Sequence, residues 1–437
     1  MPQRQRDGLK WDDSGLDLTP RWARQPQLAS IAQVCRRVLG LSVEDRCLVT
    51  FHAEGAFNKV YLVESPGGAS LLRVSLPVDP KYKTLGEVTT LSWIRRMTHA
   101  PVPKVIAFDD SQDNEIGFEW ILMELMPGIP AYKRWRKMSM TEKTWVVEQI
   151  TEFQSQIFRH SLEDANFRSI GTLFPGNPES EHVPPIDPKP GRIVSHTFFM
   201  GNHFNYDIAR GPFRSSHAWL SALLSIIDEE NTETLIVEDD EDVREDAEDC
   251  LRMADKLTKL LPTIFPSLQN QAEQTVLWHD DLSLANILVN DDGKVTALLD
   301  WECVSCKPLW MAADMPKFLL GATREEEPKR DGYGDASDDG KGSDELDDEG
   351  KTELYWIHLM EYDKTQLRRV YADKMKQLWP RWETEVANGG LKLDFYGAVA
   401  RCGAGWFLKR TEQWVDAVEG GTFSRLMDVL TANVNSG

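Results

Sequence analysis

Residues 276–289 read VLWHDDLSLANILV, and the way this stretch is read decides the fold. His279, Asp280, Asp281 and Asn286 stand between Val-Leu-Trp and Ile-Leu-Val, two apolar runs of the kind that strands bury. A carboxylate entering such surroundings costs free energy unless a donor, a cation or a metal meets it. A capped turn, with the side chains bonded to nearby backbone, is one way to meet it. The residues that follow, NILVNDDGKVTALLDWE, have the form of a β-hairpin: NILVN, an Asp292-Gly293 turn, then KVTALLD. Its second strand ends at Asp300, and the hairpin returns that carboxylate beside Asn286.

This grouping has a chemical reading beyond the capped turn. Transfer of a phosphoryl group needs an acceptor hydroxyl held in line, a carboxylate to receive its proton, and divalent cations spanning the phosphates. Asp281 is placed to face the acceptor. Asn286 and Asp300 offer the hard oxygen ligands that magnesium favours, and magnesium keeps several waters, so one amide and one carboxylate suffice.

The pattern H-x-D-x-x-x-x-N followed by a strand ending in D-W-E (His279, Asp281, Asn286, Asp300, Trp301, Glu302) resembles the phosphotransferase family of aminoglycoside phosphotransferases and choline kinases, itself related to protein kinases. The segments GPFRSS and CVSCKPLWMAADMPKFL are similar to its fungal branch, and the resemblance covers roughly residues 50–320. It implies an α+β, two-lobed protein-kinase-like fold: a small antiparallel-sheet N-lobe with one main helix, and a larger, mostly helical C-lobe. It also implies an ATP- and Mg2+-dependent enzyme that phosphorylates a hydroxyl of a small molecule. Asp281 would be the base, and Asn286 and Asp300 the metal ligands. His279 is expected to order the loop by hydrogen bonding rather than to move protons.

The nucleotide side follows from the same resemblance. AEGAFNKVYLV is similar to the phosphate-covering loop, with Gly55, Asn58 and Lys59 between the first two strands, and WILMELMPG to the hinge, with backbone groups around Glu124–Met126 meeting adenine. Where the pattern has a phosphate-holding lysine, SLLRVSLP offers Arg73; Lys59 is the alternative supplier of charge. Arginine keeps the charge but not the geometry of lysine. Glu87 shares the helical stripe of Leu91 and Ile94, so it faces inward and implies a cationic partner, for which Arg73 is the candidate.

Around these motifs the chain divides into an N-terminal helical extension (residues 1–45, with a helix around Leu28–Leu39), a nucleotide-binding N-lobe (46–126) and a catalytic, substrate-binding C-lobe (127–437). The N-lobe strands are CLVTFHAEG, KVYLVES, SLLRVSL, KVIAFDD and EWILMELMP, with the helix TLGEVTTLSWIRRMT after the third and a Pro66-Gly67-Gly68 turn between the second and third.

The formal charge of −21 is concentrated in two places. Residues 228–249 hold 13 acidic residues and one basic, and residues 322–352 hold 12 acidic and five basic, so the two segments carry −19 of it. The second is low in apolar content and is expected to be disordered. The first would suit a cationic acceptor, such as an aminoglycoside or a choline-like amine, if it reached the substrate cradle; a solvated helix face explains it equally well. No basic patch stands out, so no nucleic-acid partner is expected. No apolar run approaches the ~18–20 residues of a membrane span, and the N-terminus lacks a signal-peptide core. Six cysteines form no disulfide framework, and the expected location is cytoplasmic. Cys303-Val-Ser-Cys306 has no second pair to complete a zinc site. The rival reading is a catalytically impaired kinase-like domain acting as a metabolite- or protein-binding module, favoured by the missing strand lysine. A protein kinase is disfavoured because no activation-segment pattern follows Asp300.

Overall fold

Alternating side chains divide the first half of the chain between two faces. The computed structural model describes residues 6–15, 18–176, 187–267, 272–333 and 351–431. A hairpin of β1 (Leu9–Asp12) and β2 (Thr19–Trp22), which the Trp- and Pro-punctuated sequence did not announce, precedes α1 (Leu28–Val38). Then come β3 (Leu48–Glu54), β4 (Asn58–Ser65), β5 (Gly68–Ser75), α2 (Tyr82–Met97), β6 (Val105–Asp109) and β7 (Trp120–Glu124). The strands form one five-stranded antiparallel sheet in the order β3-β4-β5-β7-β6, the five strands and one helix expected.

The turn at Pro66–Gly68 fixes the β4–β5 register, with Val60 opposite Arg73 and Lys59 opposite Val74. Cross-strand partners share a face of the sheet. Tyr61, Val63, Leu72 and Val74 therefore pack on one side with Ile31, Val34 and Cys35 of α1. Asn58, Val60, Leu71 and Arg73 face the other side, toward α2 and the interlobe cavity.

One buried acid in this lobe gives it a pH dependence. Glu119 precedes β7 and accepts a hydrogen bond from the Lys81 backbone N–H at 2.5 Å. Burial pushes its carboxyl up to about 7. A carboxyl raised in the folded state binds its proton more readily there than in the unfolded chain. Its stabilising contribution is thus full below pH ~4.5 and is lost as pH rises toward 7, a change on the order of 3 kcal/mol. Glu119→Gln is expected to be more stable than the parent at pH 8, with the gap closing by pH ~4.5 in paired denaturant titrations.

The second lobe is mostly helical and holds its short strands near the cavity. Its main elements are α3 (Met140–Glu163), α4 (Ser216–Val237), α5 (Glu241–Ile264), β8 (Thr275–Trp278), β9 (Ile287–Val289), β10 (Val295–Leu298), β11 (Ser305–Pro308), α6 (Glu353–Leu378), α7 (Trp382–Gly403) and α8 (Leu408–Glu419). Ser139 and Glu142 cap α3 reciprocally, and α3 packs along α6 with a buried Lys143–Asp363 ion pair at 2.6 Å. Helices α4, α5, α7 and α8 close around Trp219, Leu257, Leu261, Phe395 and Trp414. Strand β9 pairs with β10 as the expected hairpin, and also with Ile129–Pro130, which follow the sheet of the first lobe. The architecture is the two-lobed α+β fold implied by the resemblance.

The two acidic segments have different outcomes. Residues 228–249 run through the end of α4 and the start of α5, where Asp240 caps α5 and Glu241 and Asp242 occupy its first turn. Carboxylates at a helix N-terminus satisfy free N–H groups and the local dipole, which explains why so acidic a stretch is helical. Within the stretch expected to be disordered, residues 322–333 instead lie against α6. Arg324 bonds Glu361 at 3.0 Å and Glu325 pairs with Arg369 at 2.6 Å, ion pairs that composition alone does not reveal. Residues 334–350 lie outside the described residues.

Candidate active site

Leu299 joins the loop to the hairpin. Its N–H donates to the Asn286 carbonyl at 2.8 Å, and its own carbonyl lies 3.0 Å from His279 Nε2. These bonds hold the ends of the HDDLSLAN loop against the end of β10. His279 is buried and sits edge-on to Trp301, whose indole N–H donates to the Leu298 carbonyl at 2.9 Å. The histidine thus orders the loop, as its position suggested.

Asp281, Asn286 and Asp300 line one cavity of about 690 Å3 between the lobes, together with Gly55, Asn58, Arg73 and Glu87. Asn286 donates its amide N–H to the Asp281 carbonyl at 2.9 Å, and more weakly to the carboxylate at 3.4 Å, which leaves its amide oxygen for the cavity. Asp300 adopts a left-handed backbone (φ +63°), tolerated better by aspartate than by most residues. Its side chain is open to the cavity yet surrounded by the cleft walls. That loss of bulk solvation and the nearby Glu302 charge push its carboxyl up to about 6. An accessible carboxylate beside a free amide oxygen is a donor set that fits a magnesium ion completed by phosphates and water. Among the described residues, no three His, Cys, Asp or Glu side chains gather as an all-protein metal site.

On the nucleotide side, Arg73 and Glu87 form a buried ion pair, and Leu71, Val60, Met123 and Leu91 supply apolar wall. The centre is held by two residues whose part the sequence did not announce. Lys83, on the first turn of α2, donates to Glu302 at 2.6 Å and to Asn58 Oδ1 at 2.8 Å, while Asn58 donates its amide N–H to Glu302 at 2.7 Å. Arg73 stands 4.0 Å from the same carboxylate. Burial would raise the Glu302 carboxyl, but the Lys83 and Arg73 charges and these hydrogen bonds outweigh it, holding it down at about 2. The clue was Lys83 four positions before Glu87, one helical turn along the same inward face.

This network yields a stability prediction. Lys83→Met strands a buried carboxylate and is expected to cost about 3–5 kcal/mol. Adding Glu302→Gln should recover more than half of that loss in denaturant unfolding, because the uncompensated charge is gone.

Three expected site residues lie elsewhere. Lys59, by strand alternation, faces away from the cavity: it pairs with Glu54 at 3.2 Å, contacts Gln25 Oε1 and sits over the Trp22 ring. Glu124 and Met126 are not in the lining; Met123 is. The Glu124 N–H is spent within the sheet on the Lys104 carbonyl at 2.9 Å. No residue of the acidic run 228–249 lines the cavity; α4 reaches it through Trp219 and Leu223 instead. Asp281 also has a partner that sequence reading missed, Lys317, whose ammonium lies 2.5 Å from its carboxylate. Both side chains are about half exposed, so this pair is worth no more than ~1 kcal/mol and an arriving substrate can displace it. Cys303 and Cys306 are thiols whose burial pushes them well above the usual range, and among the described residues neither has zinc-type company.

A two-lobed chain with two carboxylates and an amide converging on the interlobe cavity has the layout of a kinase-like phosphotransferase. The model of the phosphotransferase enzyme family, APH, matches residues 49–312, more than half of the chain, and the chain belongs to that family. A subtelomeric hrmA-associated cluster protein of Aspergillus fumigatus is 30% identical over 310 residues, covering 61% of this chain and 59% of that protein. Altered inheritance of mitochondria protein 9 of Saccharomyces cerevisiae is 22% identical over 378 residues, covering 76% of this chain and 58% of that one. The chain thus spans under two thirds of the length of either relative. Among solved structures, the streptomycin–ATP ternary complex of APH(2")-IIa gives a TM-score of 0.44 at 11% identity, covering 93% of this chain and 99% of that one. No helix among the described residues is long and apolar enough to cross a membrane.

Proposed function

We propose that this protein transfers the γ-phosphoryl group of ATP to a hydroxyl of a small molecule. The observation that carries the reading is that Asp281, Asn286 and Asp300 open onto one cavity whose other walls include Arg73 and the loop at Gly55. The acceptor oxygen attacks the γ-phosphorus, the bond to the bridging oxygen breaks, ADP departs, and Asp281 takes the hydroxyl proton. Asn286 fixes the base by bonding its backbone and side chain. Lys317, released from Asp281 as the hydroxyl arrives, offers positive charge at the reacting end of the cavity. Arg73, held by Glu87, steadies the nucleotide phosphates, and the apolar wall at Val60, Leu71 and Met123 accommodates the base. Asn286 and Asp300 would hold a magnesium ion, which when bound neutralises phosphate charge.

A cytoplasmic setting accords with six free cysteines, although the yeast relative bears a mitochondrial name. A second reading, nucleotide binding without transfer, draws on the engagement of Arg73 and Lys83 by carboxylates and of Asp281 by Lys317. Thermal denaturation with ATP plus magnesium, compared with ATP alone, tests the nucleotide site. ATP consumption across a library of hydroxylated metabolites tests transfer. Stabilisation that needs magnesium, with consumption that needs an acceptor, supports the phosphotransferase; stabilisation without consumption supports the binding module; neither sinks both.

A further inference from the structure

The interlobe cavity also carries a group of side chains drawn wholly from the C-lobe, and these bear on the acceptor. Trp219 and Tyr396 stack with ring centroids 5.5 Å apart and planes 28° from parallel, and both line the cavity with Leu223. Lys307, on β11, lines the same cavity and is only 5% exposed. Its ammonium lies 4.6 Å from the Trp219 ring centroid. Among the described residues, no carboxylate lies within 4.0 Å of it and no hydrogen-bond acceptor meets it, whereas buried Lys83 and Lys143 each hold a carboxylate at 2.6 Å. Asp280, an exposed side chain, also lines the cavity; its charge acts on Lys307 from a distance, but the two form no ion pair.

A buried ammonium with no anion in contact is costly, and an aromatic face and a more distant carboxylate recover only part of that cost. The ring covers one side of the nitrogen and leaves N–H donors for the cavity. We infer that the acceptor is a hydroxylated carboxylic acid with a planar body, its carboxylate meeting Lys307 and its plane lying on the Trp219–Tyr396 platform. This rests on the phosphotransferase reading and specifies its substrate class. It also replaces the cationic acceptor that the acidic run suggested, since that run contributes nothing to the lining.

The test uses three matched probes that differ in one group: 4-(hydroxymethyl)benzoate, its amide 4-(hydroxymethyl)benzamide, and 4-(hydroxymethyl)benzylamine. Their binding to the full chain is measured calorimetrically without nucleotide. The benzoate should bind at least about tenfold more tightly than either analogue, the range for a charge-assisted hydrogen bond. Lys307→Met and Lys307→Gln should each erase the preference; two variants guard against one that folds poorly. Equal or undetectable binding of the three by the parent protein, tighter binding of the amine, or a preference that survives both substitutions overturns the inference. Stabilisation of the parent by ATP with magnesium reports separately on the nucleotide reading, so failure of one is distinguishable from failure of the other.

Discussion

Asp281→Asn is expected to lower turnover about 100- to 10,000-fold and to leave ATP affinity unchanged. The substitution keeps the volume of the side chain and removes its charge, and with it the proposed capacity to accept the acceptor's proton. The bond from Asn286 to the Asp281 backbone carbonyl, at 2.9 Å, does not depend on the carboxylate, so the loop should keep its shape. The pair with Lys317 is lost, but that exposed contact is too weak to destabilise the fold. A fall in kcat with unchanged nucleotide KM is therefore the signature to look for. Steady-state kinetics on the acceptor found by screening measure it, and parental turnover would remove Asp281 from the role of base.

Asp300→Asn acts on a different quantity. A carboxamide cannot neutralise a divalent cation, so affinity for the metal–nucleotide complex should fall about 10- to 100-fold or more while ATP without metal binds as before. Titrations of ATP at several magnesium concentrations separate the two: in the parent, affinity rises with magnesium, and in the variant the curve flattens. The fold should tolerate the change, because asparagine also accepts the left-handed backbone seen at residue 300. Unchanged magnesium dependence would exclude Asp300 as a ligand.

The parts of this site legible in the sequence are those fixed by local geometry. His279, Asp281, Asn286 and Asp300 lie on one loop and one hairpin, so spacing and an Asp-Gly turn bring them together without knowledge of the rest of the chain. The N-lobe sheet was legible for the same reason, through short alternating strands and a clear turn. Lys59 shows where the reading stopped short of what the pattern contained. The Pro66-Gly67-Gly68 turn sets Lys59 opposite Val74 and Val60 opposite Arg73, so the two cations had to lie on opposite faces.

Other features were beyond local pattern. Asn58 meets Glu302 across 244 positions, and no short-range rule pairs an amide on one lobe with a carboxylate on the other. Lys317 reaches Asp281 from a short helical turn 36 positions downstream. Lys307 reads as one polar letter in a strand, and only the fold reveals that it is buried against the Trp219 ring with no carboxylate in contact. For the acidic run, composition left a substrate cradle and a solvated helix face equally open, and the fold selects the second: its charges serve helix capping and surface pairing, such as Glu230 with His203 at 3.1 Å.

The central claim is that Asn286 and Asp300 bind a divalent ion beside Asp281, at the seam between the lobes. A crystal structure grown with ATP and Mn2+, with anomalous scattering recorded at the manganese edge, addresses it most directly. The account predicts an anomalous peak within coordination distance of the Asn286 amide oxygen and an Asp300 carboxylate oxygen, with the γ-phosphate turned toward Asp281. A manganese peak and nucleotide elsewhere in the protein, with those three side chains untouched, would contradict it.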